Sequence, residues 1–178
     1  LVLAWCYENQ LTSLDVSQNT ALTDLLCWSN QLTSLDVSAN TALTRLQCNS
    51  NQLTSLDVSN NISLINLSFG SYESNIDLSN NINLERIGLW NSQNLTTLDL
   101  SNNPALTTLS VGSNLSLASI NLNNGNNTNL TDSACSGTNF AFDCFNINYN
   151  NPLLTCITVD DITYSQSNWW VNGNVDST

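Results

Sequence analysis

Three nearly identical stretches of sequence decide the fold: LTSLDVSQN at 11–19, LTSLDVSAN at 32–40 and LTSLDVSNN at 53–61. Their first leucines are 21 residues apart, so the chain is a tandem repeat with that period. Each period contains a second, similar half, and the aligned halves share the pattern L-x-x-L-x-(V/C/L)-x-x-N. The phase can be followed from Leu1 to Leu117, in weaker form after Leu64. A repeat of this length predicts a solenoid whose coils stack on one another.

This pattern resembles the leucine-rich repeat family, in the nested bacterial subclass in which both halves of a 21-residue repeat carry the leucines. The resemblance implies that residues 1–123 form a right-handed, β-rich solenoid with short parallel strands on two faces and little helix. Alternation at L-x-L directs the leucines inward. Cys6, Cys27 and Cys48 occupy the same inward position in successive repeats, which predicts that they are core thiols.

Asparagine closes most half-repeats, as at Asn9, Asn30 and Asn51. Buried amides need hydrogen-bond partners, and turns expose backbone groups that a side-chain amide can satisfy. The spacing therefore predicts a ladder of stacked asparagines, each bonded to the backbone where the chain turns.

One face of the predicted solenoid is nearly constant. The half-repeats that begin at Leu11, Leu32, Leu53, Glu73 and Leu95 direct nearly the same residues outward, namely Ser, Thr or Asn, then Asp, then Ser, and we call this the constant face. Its aspartates form a predicted column: Asp15, Asp36, Asp57, Asp77 and Asp99. The column could bind calcium, or it could be a hydrated Asp/Ser ridge, which the lack of any calcium-loop spacing favours.

The other face changes at every coil, and we call it the variable face. It carries the outward residues of the half-repeats that begin at Leu1, Leu22, Leu43, Leu64, Leu84 and Leu106. Exposed aromatic residues and arginine are enriched at binding sites. The candidate ligand-binding residues are Trp5, Tyr7, Asp24, Leu26, Trp28, Arg45, Gln47, Arg86 and Trp90. The alternative is that this half-repeat has a looser consensus and that Trp5 and Tyr7 pack against upstream repeats.

Composition excludes several functions. The 178 residues contain 14 acidic and two basic residues, for a net charge of -12, so neither nucleic acid nor an anionic membrane is expected as a partner. Both basic residues are arginines and histidine is absent, which removes the commonest catalytic bases and metal ligands. No apolar run is long enough to span a membrane. We therefore expect a protein that is not an enzyme and uses no cofactor, apart from the calcium considered above.

Residues 124–178 are predicted to form a C-terminal capping module. NLNNGNN at 121–127 and NNPLLTCITVDD at 150–161 resemble the terminal module of secreted leucine-rich repeat proteins of Bacteroidetes-type bacteria. That module closes the solenoid and continues beyond the point at which this chain stops, so we expect a piece of a longer protein. The stretch 160–168 is predicted to be a short helix capped by Asp160 or Asp161.

The C-terminal cysteines lie outside the regular repeats. Cys144 takes an outward position in a degenerate half-repeat, Phe142/Phe145/Ile147/Asn150, and Cys135 is close in sequence. A Cys135–Cys144 disulfide is predicted, which requires an oxidising, extracellular compartment. Cys156 is left without an assigned partner.

These features predict a recognition module of a secreted or cell-surface bacterial protein, which binds a protein or a glycan through its variable face. The alternative is a rigid spacer or stalk in a larger surface adhesin, a role that end-to-end self-association through exposed terminal repeats would serve.

Overall fold

The computed structural model describes residues 1–70, 74–130, 146–161, 163–165 and 174–176, and it forms a β-solenoid of about six turns with 21-residue spacing. Its strands are β1 (Leu3–Trp5), β2 (Asp24–Leu26), β3 (Arg45–Gln47), β4 (Asn66–Phe69), β5 (Arg86–Trp90), β6 (Thr97–Asp99), β7 (Thr108–Gly112), β8 (Ser119–Leu122), β9 (Asn146–Tyr149), β10 (Cys156–Val159) and β11 (Asn174–Asp176). In the described part of the chain, helix is limited to a 3-10 turn at Asn127–Asn129 and to residues 163–165. No described helix is long or apolar enough to cross a membrane.

The strands form two parallel sheets, as the repeat predicts. The sheet on the variable face has the order β1-β2-β3-β4-β5-β7-β9, and the sheet on the constant face has the order β11-β10-β8-β6. The second sheet begins only at β6. In the earlier coils the described residues of the constant face make turns and unpaired segments instead of strands.

The core is a continuous column of leucines and other apolar side chains. Leu22, Leu25, Leu43 and Leu46 are fully buried, and the corresponding positions are buried in the later coils through Leu109. Full burial of one such side chain contributes about 1.5–3 kcal/mol, so stacking supplies most of the stability. The positions that the repeat predicts to face inward are therefore the ones that form the core.

The cysteines at the repeated inward position are core residues, as predicted. Cys27 and Cys48 are fully buried, and Cys6 is half-buried. Burial, followed by the neighbouring Cys6 thiol, raises the pKa of Cys27 to about 12. Cys27 is therefore a neutral thiol at physiological pH and acts as a small apolar side chain.

One asparagine ladder follows the strands of the variable face. The Asn30 Nδ2 donates to the carbonyl oxygens of Cys6 (2.9 Å) and Cys27 (3.1 Å), and its Oδ1 accepts from the Leu11 amide (3.0 Å). Asn51 makes the same bonds one coil later, with Cys27, Cys48 and Leu32. Each amide thus fixes its own coil to the preceding one.

A sharp backbone turn precedes each position of this ladder. The residue before it has a positive φ of 53–59° although none of these residues is glycine: Glu8, Ser29, Ser50, Asn91, Ser113 and Asn150. This left-handed conformation costs roughly 1–2 kcal/mol per residue for a side chain with a Cβ. The same turn recurs through the solenoid because the ladder holds it in place.

A second asparagine ladder follows the constant face and is bonded differently. The Asn61 Nδ2 donates to the carbonyl oxygens of Val37 (3.0 Å) and Asn40 (2.9 Å), both in the preceding coil. Asn81 does the same with Val58 and Asn61 at 3.0 Å each. These side chains are fully buried. Their Oδ1 atoms have no hydrogen-bond partner in the described structure. This ladder therefore acts through its donors alone.

The C-terminal residues extend both sheets but shift the register. β9 pairs with β7 through Ser110–Asn146 and Gly112–Tyr149, which leaves one extra residue in β9. The predicted ladder position Asn150 is therefore wrong: the neighbouring Asn151 donates to the carbonyl oxygens of Val111 (3.0 Å) and Ile147 (2.7 Å).

Of the two predicted N-cap residues, Asp160 and Asp161, the one that makes the capping bond is Asp161. Its Oδ1 accepts from the amide of Tyr164 (2.9 Å), three residues later, as an N-cap does. Residues 162 and 166–168 of the predicted helix lie outside the described residues. Cys135 and Cys144 also lie outside them, so their disulfide stays a prediction.

The ladder predicts that alanine substitutions at two adjacent asparagines lower the free energy of unfolding by very different amounts. Asn81→Ala removes two bonds to buried carbonyl oxygens and should lower the free energy of unfolding by about 2–4 kcal/mol. Asn80→Ala is the matched control, because Asn80 is exposed and makes one 3.5 Å contact. It should cost less than about 0.5 kcal/mol. Urea unfolding followed by circular dichroism measures both, and equal losses would contradict the role of the ladder.

Candidate functional site

The outward side chains of the variable face stand in columns set by the strand register. The first column contains Leu3, Asp24, Arg45, Asn66, Arg86 and Thr108, and the second contains Trp5, Leu26, Gln47, Ser68, Gly88 and Ser110. Neighbouring members are one strand spacing apart, about 4.8 Å. A third column follows the strand ends, at Tyr7, Trp28, Asn49, Gly70, Trp90 and Gly112.

Aromatic side chains cluster on the first two coils. The rings of Tyr7 and Trp28 are stacked, with centroids 4.7 Å apart and an interplanar angle of 4°. Trp5 is 61% exposed, and Leu26 beside it is half-buried. Four of the predicted residues therefore form one apolar patch, which we call the aromatic patch: Trp5, Tyr7, Leu26 and Trp28.

The arginines lie next to this patch, in the first column. Arg45 Nε is 3.7 Å from Asp24 Oδ1, while Asp24 Oδ2 accepts from the Thr23 hydroxyl (2.8 Å). One of the terminal amino groups of Arg86 is 3.3 Å from Asn66 Oδ1 and 3.8 Å from Glu85 Oε2. Polar groups thus continue along the first column beyond the aromatic patch.

Trp90 lies apart from the aromatic patch. A Cβ added to Gly112 would be 2.3 Å from the Trp90 ring, and one added to Gly70 would be 1.7 Å from the Trp90 carbonyl oxygen. The ring therefore rests on Gly112, and the backbone of Trp90 packs against Gly70.

Among the described residues, the second column has no exposed side chain in the later coils. Ser68, Gly88 and Ser110 occupy outward positions but are buried. The variable face is thus rich in exposed large side chains in coils 1–3 and poor in them afterwards.

The structure brings most of the predicted site residues together and separates one. Asp24, Arg45 and half-exposed Gln47 flank the aromatic patch, and Arg86 follows two coils beyond Arg45. Trp90 is three coils from Trp28 and packs within the protein. The sequence prediction does not include Asn66, although the repeat period places this residue between the two arginines.

The constant face has a different local chemistry. Each aspartate accepts a hydrogen bond from the amide of the serine two residues later, at 2.9 Å for Asp15, Asp36, Asp57 and Asp77. Asp99 bonds to Ser101 (3.0 Å) in the same way and also accepts from the side chain of Asn121 (3.1 Å). In the described residues, no group of three or more histidine, cysteine, aspartate or glutamate side chains is placed to hold a metal ion.

These serines lower the pKa of four aspartates. For Asp15 and Asp57 the larger cause is the serine amide, followed by its hydroxyl. For Asp36 and Asp77 the hydroxyl is the larger cause and the amide follows. The neighbouring aspartates of the column oppose this shift at Asp15 and Asp57. Local bonds therefore outweigh repulsion along the column.

Comparisons with solved structures identify the same fold in internalins of Listeria monocytogenes. The functional domain of InlJ, described as including a cysteine ladder, is 23% identical with a TM-score of 0.68 over 99% of this chain. The internalin inlF is 17% identical with a TM-score of 0.63 over the whole chain. This chain spans 40% and 63% of those two proteins.

Internalin C2 from the same organism is 17% identical with a TM-score of 0.50, over 98% of this chain and 80% of its own. At these identities the likeness shows the fold. No protein-family model matches the sequence, and no curated protein sequence matches it.

The serine-bonded aspartates predict a stability loss in acid. Their folded pKa values are lowered, so they stabilise the folded state above the unfolded pKa of about 3.9, and this contribution is lost as pH falls through the folded values. Replacing all four by asparagine keeps an acceptor oxygen but removes the titration. Thermal unfolding measured between neutral and acidic pH should then depend less on pH than in the original protein.

The control is Glu8→Gln, which removes an exposed acid outside the column. An unchanged pH dependence in the variant with four substitutions, or an equal change in the control, would contradict the assignment.

Proposed function

We propose that this protein is a non-catalytic recognition module that binds a protein partner through its variable face. The observation that carries this proposal is the contrast between the two faces on one regular scaffold. One face repeats Asp and Ser at each coil, whereas the other concentrates the aromatic patch and both arginines on a rigid parallel sheet. Exposed aromatic residues and arginine are the side chains that contribute most at interfaces.

The arrangement of the aromatic rings favours a protein over a glycan. Sugar rings bind by placing their apolar face on an exposed aromatic face. Tyr7 and Trp28 cover one face of each other, which leaves fewer faces available. Trp5, the most exposed of the three, keeps glycan binding as the second candidate.

We further propose a secreted or cell-surface location in a bacterium. The internalin-like fold and the acidic, lysine-free composition support this, as does the resemblance of residues 150–161 to a secreted terminal module. Such a module would present its variable face to proteins outside the cell.

A structural spacer is the competing role. The repetition of the constant face favours it. A spacer would bind end to end and would need no particular side chains on its sheet.

Binding to an array of recombinant extracellular protein domains and to a glycan array tests the proposal. The variable-face variant carries Trp5→Ser, Tyr7→Ser and Trp28→Ser, and the matched constant-face variant carries Asp15→Asn, Asp36→Asn and Asp57→Asn. Circular dichroism establishes that both are folded. Protein binding should weaken by about tenfold or more in the first variant and stay unchanged in the second.

Three results would overturn the proposal. Protein binding that survives the variable-face substitutions would place the contact elsewhere. Binding to glycans alone would favour the second candidate, and concentration-dependent self-association without any bound protein or glycan would favour the spacer.

A further inference from the structure

The only two basic side chains of the protein lie in one column of the variable face. The chain has 14 acidic residues and a net charge of -12, yet Arg45 and Arg86 are separated by a single residue of the column. That residue is Asn66, which pairs with Arg45 on one side and with Arg86 on the other in the strand register.

The hydrogen-bonding groups of this column are largely unused. The Arg45 side chain approaches Asp24 only through Nε at 3.7 Å, which is longer than a hydrogen bond, and its guanidinium donates no hydrogen bond to a described residue. The Asn66 Oδ1 accepts from Arg86 (3.3 Å), and its Nδ2 donates to none of the described residues. Two guanidinium groups and one amide therefore have donors available side by side.

The existing ion pairs are weak enough to be exchanged. The Arg45 and Arg86 side chains are 43% and 49% exposed, and the pairs with Asp24 and Glu85 span 3.7 and 3.8 Å. Exposed pairs of this kind contribute about 0–1 kcal/mol. A carboxylate that accepts from a guanidinium fork makes shorter, charge-assisted bonds, so it can compete for these arginines.

We infer that the Arg45–Asn66–Arg86 column binds a carboxylate side chain of a protein partner, while an apolar side chain of the same segment packs on Leu26 and Trp28. This inference rests on the proposed function and names the chemistry of its site. Asn66 lies two strand spacings across the sheet and two residues along the strand from Leu26, about 12 Å away, which an extended segment spans in about four residues. The partner segment therefore carries Asp or Glu within about four residues of an aromatic or aliphatic residue.

The charge of the remaining surface limits the partner further. Of the 14 acids in the sequence, Asp24 and Glu85 lie next to the two arginines. Of the other twelve, five form the aspartate column of the constant face. Screening reduces their repulsion beyond about 8 Å at physiological salt but not closer. A single carboxylate among apolar residues fits this field, whereas a polyanion would be repelled around the site.

Selection of a phage-displayed library of random linear peptides on the complete chain tests the inference. Enriched peptides should share an acid within about four residues of Trp, Phe or Leu. The Arg45→Gln/Arg86→Gln variant should bind them about tenfold or more weakly, whereas Asp36→Asn on the constant face should bind them as the original protein does.

A double-mutant cycle separates a direct contact from a general effect. Changing the peptide acid to its amide should weaken binding to the original protein but have little further effect on the Arg45→Gln/Arg86→Gln variant. Additive losses, or enriched peptides that lack an acid, would overturn the inference.

The remaining outcomes separate this inference from the proposed function. If Leu26→Ser and Trp28→Ser weaken peptide binding but the arginine substitutions do not, the carboxylate contact is overturned and the proposed function stays intact. If neither set of substitutions weakens peptide binding, both the carboxylate contact and the proposed function are overturned. Arginine-dependent binding to uronic or sialic acids on a glycan array, without peptide enrichment, would overturn the choice of a protein as the source of the carboxylate.

Discussion

Hydrogen bonding of buried turn carbonyls is the constraint on which the rest of the structure depends. A coil of 21 residues must turn back on itself inside a stack, where water cannot satisfy its backbone. Two asparagine ladders solve this problem. Asn30 and Asn51 join neighbouring coils through both a donor and an acceptor, whereas Asn61 and Asn81 use only their donors. The leucines fill the interior that these turns enclose.

A scaffold held from within leaves its outward positions free to differ. On the constant face these positions keep an Asp/Ser unit that completes its own local hydrogen bonds and stays charged. On the variable face the same backbone presents aromatic, charged and small side chains in successive coils. Exposed aromatic and charged side chains can therefore be concentrated in coils 1–3, where the aromatic patch and Arg45 lie, without a change in the fold.

The sequence was sufficient to predict features that depend on periodicity. The two sheets, the buried leucines, the core position of Cys27 and the asparagine ladder follow from the 21-residue spacing and from inward–outward alternation. Features that depend on side-chain conformation were not predictable in this way. The sequence predicts an outward position for Trp90 but does not indicate that its ring rests on Gly112. The ladder asparagine of the last described coil is Asn151 and not Asn150 because β9 contains one extra residue, which the repeat pattern does not reveal.

Residue-specific amide hydrogen exchange tests the role of the ladder most directly. The amides of Leu32, Ser92 and Asn114 donate to Oδ1 atoms of ladder asparagines, whereas those of Ser17, Ser38 and Ser59 donate to exposed aspartates. The account predicts that the first three exchange only when the solenoid unfolds, far more slowly than the serine amides. Exchange of both sets at the same rate would contradict it.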